Sequence, residues 1–289
     1  LITNHHCAFR AIQRNSTEKR DLLKEGFWAK SRKEELNGYG VTVLVFKNQR
    51  DVTKEILKGL PMKAAPAELM KAIEKKEKAI VSRCEEKPNT RCLVSRENNG
   101  IRFLLLENLE LRDVRLVAAP PQSLGSYGGE IDNWHWPRHT MDFALLRAYV
   151  SPKGKPKKFH KDNVPYHPKR HLKVSRGGLK PGDFVMVMGR PYHTARYLSS
   201  AALKETLTWY YPTRLKMFSQ WIEVLESLAK EVPAARIPTS STLKSLHNGL
   251  TNFKGMIEGA RKRKLMEARK AEEKRWRTWV NANPKRKKR

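Results

Sequence analysis

The chain has 289 residues, 39% of them apolar and 30% charged, enough for about two domains and a core that needs neither metal nor disulfide to fold. This composition excludes a collagen-like or disordered chain, and no run approaches the roughly 18 apolar residues of a membrane-spanning helix. Lysine and arginine total 59 against 29 acidic residues, so the formal charge is +30 and anionic partners are favoured.

Residues 41–46 (VTVLVF) are β-branched and apolar, as in a buried strand. Residues 64–81 are charged and alanine-rich with apolar side chains at helical spacing, which predicts an amphipathic helix. Strands are predicted over 101–106 and 114–117, with Asn98-Asn99-Gly100 as the turn before the first, and again over 143–150 and 184–188. Glycine- and proline-rich breaks separate them, among them Pro120-Pro121, Gly128-Gly129 and Pro181-Gly182. Short strands between such breaks suggest an antiparallel barrel or sandwich. Near Ser199 the character changes. Leu215, Phe218, Ile222, Leu225 and Ala229 share one helical face, and residues 252–280 also read as helical. No internal repeat is visible.

Three segments carry candidate chemistry. Thr3-Asn4-His5-His6-Cys7 sets a histidine near the end of a strand and beside a cysteine, the local setting of a general base, whose near-neutral pKa suits proton transfer. A pair of ordinary hydrogen-bonded histidines is the competing reading. Asp142 lies just before an apolar strand, where a carboxylate can orient such an imidazole. A turn-capping aspartate is the commoner role for any single Asp. The ten residues from Glu130 to His139 hold two Trp, one Asn and two His, a plausible small-ligand wall or a packed loop. His135 and His139 have H-x3-H spacing, but Pro137 intervenes and no HExxH or CxxC accompanies them, so no metal and no other cofactor is expected. No serine stands in a G-x-S-x-G or G-N-S-G setting; Ser126, Ser240 and Ser241 are weak candidates. Cys84 and Cys92 can pair with each other, and Cys7 with a residue upstream of Leu1.

The segments TNHHCAFRAIQ (3–13), GFWAKSRKEEL (26–36), DVRLVAAPPQSLGSYGGEIDNWHWPRHTMDFALLRAYV (113–150), KDNVPYHPKRHLKVS (161–175) and GLKPGDFVMVMGRP (178–191) resemble the bacterial dipeptidyl peptidases seven and eleven. The likeness continues more weakly around residues 247–256. The resemblance implies a chymotrypsin-like antiparallel β-barrel part over residues 1–200, followed over 201–289 by the start of an inserted helical domain that caps the cleft. It implies His6 rather than His5 as general base and Asp142 as its orienting carboxylate. Asn133, Trp134 and Asn248 would hold the substrate's free ammonium. The implied activity is that of a serine dipeptidyl aminopeptidase acting on oligopeptides with a free N-terminus. An exported, periplasmic or cell-surface location goes with it, while the oligomeric state, a homodimer included, is left open by the sequence.

Two departures stand out. Met141 occupies the place before Asp142 where glycine is expected, so its side chain could crowd the acid. The family's serine lies beyond the helical insertion, so the chain reads as a fragment, without its nucleophile and inactive by itself. Two alternatives remain: a truncated, inactive relative, and a basic protein that binds polyanions or nucleic acid. The second rests on residues 261–289, where, from Arg261 onward, 14 Lys and Arg face three Glu. No nucleic-acid-binding motif accompanies them.

Overall fold

The structure, a computed structural model, describes residues 1–61, 63–186 and 197–287. In chain order the strands are β1 (Ile2–Thr3), β2 (Phe27–Trp28), β3 (Leu36–Asn37), β4 (Val43–Asp51), β5 (Thr90–Glu97), β6 (Arg102–Leu111), β7 (Asp113–Ala119), β8 (Ala144–Val150) and β9 (Val164–Pro165). The helices are α1 (His5–Asn15), α2 (Leu22–Glu25), α3 (Thr53–Leu57), α4 (Pro66–Glu85), α5 (Gln122–Gly125), α6 (Ser200–Glu205), α7 (Tyr211–Glu231), α8 (Arg236–Lys262), α9 (Leu265–Asn281) and α10 (Pro284–Lys287). They fall into two compact units, Leu1–Tyr127 with Met141–His167, and Gly128–Thr140 with Pro168–Arg289.

The first unit holds two antiparallel sheets. One follows the path β1-β8-β7-β2, with β3 also on β7 and β9 on β8. The other is β4-β6-β5. The principal core lies under the first sheet, where Phe9 and Ile12 of α1 and Leu22 and Leu23 of α2 meet Val114, Leu116, Ala144 and Leu146. These apolar positions of α1 recur with helical spacing, so burial of one face, more than propensity, makes the helix. A second core joins Val52, Ile56 and Ile80 to Phe103 and Leu105, and there the buried Cys84 and Cys92 form a disulfide between α4 and β5. Cys7 is a free, exposed thiol. Asn98 and Gly100, both at positive φ, turn the chain from β5 into β6 as their sequence suggests.

The expected chymotrypsin-like barrel is not formed. Among the described residues both sheets are open. Closure needs a continuous cycle of paired strands. Here β1 and β2, the two ends of the main path, do not pair, and β1, β2, β3 and β9 are only two residues long. The longest strands, β4, β5 and β6, pair among themselves in a separate sheet. The strand expected over 184–188 is also absent where it can be seen. Phe184, Val185 and Met186 are exposed and outside any strand, and 187–188 lie outside the described residues.

In the second unit α7 and α8 are consecutive helices joined by a 3-10 turn (Pro233–Ala235). The face read from the sequence is the inward one: Ile222 is buried and Leu215, Phe218, Leu225 and Ala229 are half-buried. Gly249 lets the two helices approach, since a Cβ there would stand 2.6 Å from the Phe218 ring. Phe253 stacks on Tyr211 beside this contact. The helical stretch expected over 252–280 is two helices, broken at Lys264, which adopts a left-handed conformation.

Candidate active site

The strand β1 pairs with the start of β8 in a fixed register, Ile2 with Leu145 and Thr3 with Ala144. The chain then leaves β1 through Asn4 and enters α1, while Asp142 lies two residues before β8. This brings His6 and Asp142 together across 136 residues. His6 Nδ1 lies 2.8 Å from Asp142 Oδ2, and the backbone N–H of His6 donates to Oδ1 at 3.1 Å. Asn4 Nδ2 donates to Oδ2 at 3.0 Å. Partial burial pushes the Asp142 carboxyl upward, but the two hydrogen bonds from His6, its charge and the Asn4 amide outweigh this and hold it below the usual carboxylate range.

His5 is in a different setting. Its ring is fully buried, edge-on to Phe9. Gly125 makes room for it, because a Cβ there would stand 2.6 Å from the ring. His5 thus belongs to the core, while His6 is exposed and meets the acid. Met141 does not crowd the pair: its side chain is exposed, and its backbone N–H donates to Leu124 O.

The second unit contains a separate polar cluster. Asn133 Nδ2 donates to Asn248 Oδ1 at 3.0 Å, and Trp134 Nε1 donates to Asn248 O, also at 3.0 Å. The loop 128–140 is thereby tied to α8 at the residue beside Gly249. Trp134 has φ +62°, a left-handed conformation that costs a bulky residue roughly 1–3 kcal/mol and that these bonds hold in place. His135 and His139 are exposed, and among the described residues no three His, Cys, Asp or Glu side chains converge as metal ligands. Ser240 Oγ donates to Ile237 O within α8.

The Peptidase S46 family profile matches residues 1–289. The chain belongs to the peptidase S46 family. It is 38% identical over 286 residues to an Asp/Glu-specific dipeptidyl-peptidase of Shewanella putrefaciens, covering 99% of this chain and 39% of that protein. It is 33% identical over 289 residues to a dipeptidyl-peptidase 7 of Phocaeicola vulgatus, covering 98% of this chain and 40% of that one. Among solved structures, DPP11 of Porphyromonas endodontalis with the dipeptide Arg-Asp superposes with a TM-score of 0.88 at 33% identity, over 97% of this chain and 41% of that one. The chain thus spans about two fifths of the length of these relatives.

Two members of the constellation were not legible beforehand. Asn4 was visible only as part of a motif, and its contact with Asp142 depends on the strand register. Glu130 accepts from Asn133 Nδ2 at 2.9 Å and adds a carboxylate to the amide cluster. Glu130 was visible only as the first residue of the 130–139 segment, with nothing local to tie it to Asn133.

Proposed function

We propose that this S46 peptidase is a serine-type dipeptidyl aminopeptidase, and that this chain carries its general base and the site for the substrate's ammonium. The observation that carries the reading is the 2.8 Å contact between His6 Nδ1 and Asp142 Oδ2. With Nδ1 protonated and held by the carboxylate, Nε2 is the ring nitrogen left to take the proton of a serine hydroxyl, and Asp142 stabilises the imidazolium that results. The serine itself is assigned to the part of the relatives' length that this chain does not span, so the 289-residue chain alone has no turnover.

Asn133, Trp134 and Asn248 bind the free N-terminus. Asn248 Oδ1 accepts one hydrogen bond, from Asn133, and keeps a lone pair for an ammonium. The Trp134 ring offers a cation a π face. Glu130, next to Asn133, makes the cluster anionic. The release of dipeptides follows from binding the ammonium at a fixed distance from the scissile bond. The relatives named Asp/Glu-specific favour acidic peptides as substrates, and a chain of +30 attracts them at long range. An exported location fits the Cys84–Cys92 disulfide, which persists in oxidising compartments. A homodimer belongs to the same reading, and sedimentation velocity checks it.

The test is dipeptide release by the full-length gene product from free and N-acetylated peptides. Only free peptides are cleaved, and His6→Ala lowers the rate about 10⁴-fold or more. Equal cleavage of acetylated peptides, or full activity of His6→Ala, refutes the reading. A second reading, polyanion binding through residues 261–289, is favoured by the exposed Trp276 and Trp279 on basic α9. It requires DNA affinity that falls steeply with salt.

A further inference from the structure

We infer that Asn4 is a positioning residue, which fixes the Asp142 carboxylate so that one oxygen faces the His6 ring. The inference rests on the roles proposed for His6 and Asp142 and adds a third member to that pair. Asn4 stands at the N-cap of α1. There an asparagine side chain ordinarily accepts a hydrogen bond from the second or third amide of the helix. Asn4 makes no such bond. Its side chain is turned the other way, and Nδ2 donates to Asp142 Oδ2 at 3.0 Å and to the Asp142 carbonyl at 3.3 Å. The helix forgoes an available cap, and the amide is spent on the acid.

The consequence is geometric. With His6 alone, the carboxylate would receive one backbone and one ring donor from a single residue. The Asn4 amide adds a donor from outside α1, on the oxygen that the imidazole uses. Its bond to the Asp142 carbonyl ties the backbone of that residue as well. The plane of the carboxylate and its distance from α1 are then both set. The chemistry also suits an amide. A lysine or arginine at this place would compete with the imidazolium for the carboxylate, whereas a neutral donor favours the ionised acid and leaves its charge to His6.

The test compares Asn4→Ala, Asn4→Asp and Asn4→Ser in the full-length peptidase, with His6→Ala as reference and circular dichroism as folding control. Asn4→Asp keeps the shape and replaces the donor by an acceptor; Asn4→Ser keeps a shorter donor. Asn4→Ala and Asn4→Asp are expected to lower kcat about tenfold, the effect of losing one hydrogen bond to a charged group, with KM unchanged. Asn4→Asp also moves the acidic limb of the kcat profile to higher pH, and Asn4→Ser restores part of the rate. A purely structural cap would instead tolerate Asn4→Asp, since aspartate caps as well as asparagine.

A second arm needs no activity. In the 289-residue chain, the His6 Nδ1–H proton resonance, assigned by its loss in His6→Ala, is expected to weaken or shift in Asn4→Ala and Asn4→Asp. Wild-type kcat and pH profile in both variants, or an unchanged resonance, overturn the inference. If the wild-type enzyme releases no dipeptides, the proposed function fails, and the resonance alone still decides the place of Asn4.

Discussion

Replacing Asp142 by asparagine is the sharpest test of the dyad, because the geometry leaves the new side chain no satisfactory orientation. Oδ2 now receives His6 Nδ1 and Asn4 Nδ2, and Oδ1 receives the His6 backbone N–H. If the asparagine places its NH2 where Oδ2 was, it meets the Asn4 donor head-on and forces His6 Nδ1 to be the acceptor. The ring proton then sits on Nε2, the nitrogen proposed to take the serine's proton. If the amide is flipped, its NH2 faces the His6 backbone N–H across about the present 3.1 Å, donor against donor. Either way the pair loses a charge-assisted bond, and in the first orientation it also loses the productive tautomer. In a Ser-His-Asp triad such an exchange costs about 10⁴-fold in kcat, or roughly 5 kcal/mol of transition-state stabilisation. The assay is steady-state hydrolysis of a dipeptidyl chromogenic substrate by the full-length peptidase, with kcat and KM fitted separately. KM should stay within about threefold, since the residues proposed to bind the ammonium are elsewhere in the chain. A fall in kcat of less than about tenfold would refute the assignment of Asp142.

Gly125→Ala should destabilise by about 1–3 kcal/mol, since the new methyl would stand 2.6 Å from the buried His5 ring, and should reduce kcat because His5 precedes His6; an unchanged melting temperature contradicts this. Asp113→Ala should cost about 3–5 kcal/mol in urea unfolding, because it strands Arg115, which Asp113 holds through two hydrogen bonds in a buried pair; a loss under about 1 kcal/mol contradicts this. Burial, then the bond to Glu35 and its charge, push the Tyr149 phenol up to about 12. The protonated form is favoured by the fold, so its contribution is complete below about pH 10 and is lost as pH rises toward 12. Ultraviolet titration should show one late phenol that is missing in Tyr149→Phe. Asn248→Ala removes the oxygen that receives Asn133; KM for free peptides should rise about tenfold, the worth of one such bond to a charged group, and an effect confined to kcat would contradict the ammonium-binding role.

What could be read from the sequence depended on how local its cause was. The strands β4, β6, β7 and β8 were legible because each begins with or contains a run of β-branched and apolar residues, although β4 is not the buried strand that its composition suggested, since Leu44 and Phe46 are exposed. The strand β5 was missed, since its inward positions are Thr90, Cys92, Val94 and Arg96, with polar residues at both ends, and only Cys92 is buried. Helix α1 carried its signal at His5, Ala8, Phe9 and Ile12, all buried and at helical spacing, but the His-His-Cys motif drew the reading toward a strand end. The barrel failed for a different reason. Closure depends on which distant strands pair, and alternation within a segment carries no information about that. The candidate residues came from motifs and from the family resemblance. What holds them, the Asn4 amide and the space at Gly125, comes from contacts more than 100 residues apart and had no local signature.

The register of β1 on β8 explains why so short a strand can specify a dyad. Two paired residues, Ile2 with Leu145 and Thr3 with Ala144, decide where α1 begins relative to Asp142. A slip of one residue would turn every side chain of β1 to the opposite face. It would also shift the start of α1 by about 3.3 Å along β8, more than the 2.8 Å that now separates His6 Nδ1 from Asp142 Oδ2. Ladder bonds from two residues are too few to forbid this. The register is instead held from within the core: His5, Ala8, Phe9 and Ile12 are buried in α1 immediately downstream, and the His5 ring fits against a glycine that admits no Cβ. A displaced strand would drag that helix out of its seat. The neighbouring histidines therefore divide the work: His5 keys the helix into the core, and His6, one residue on, faces the acid.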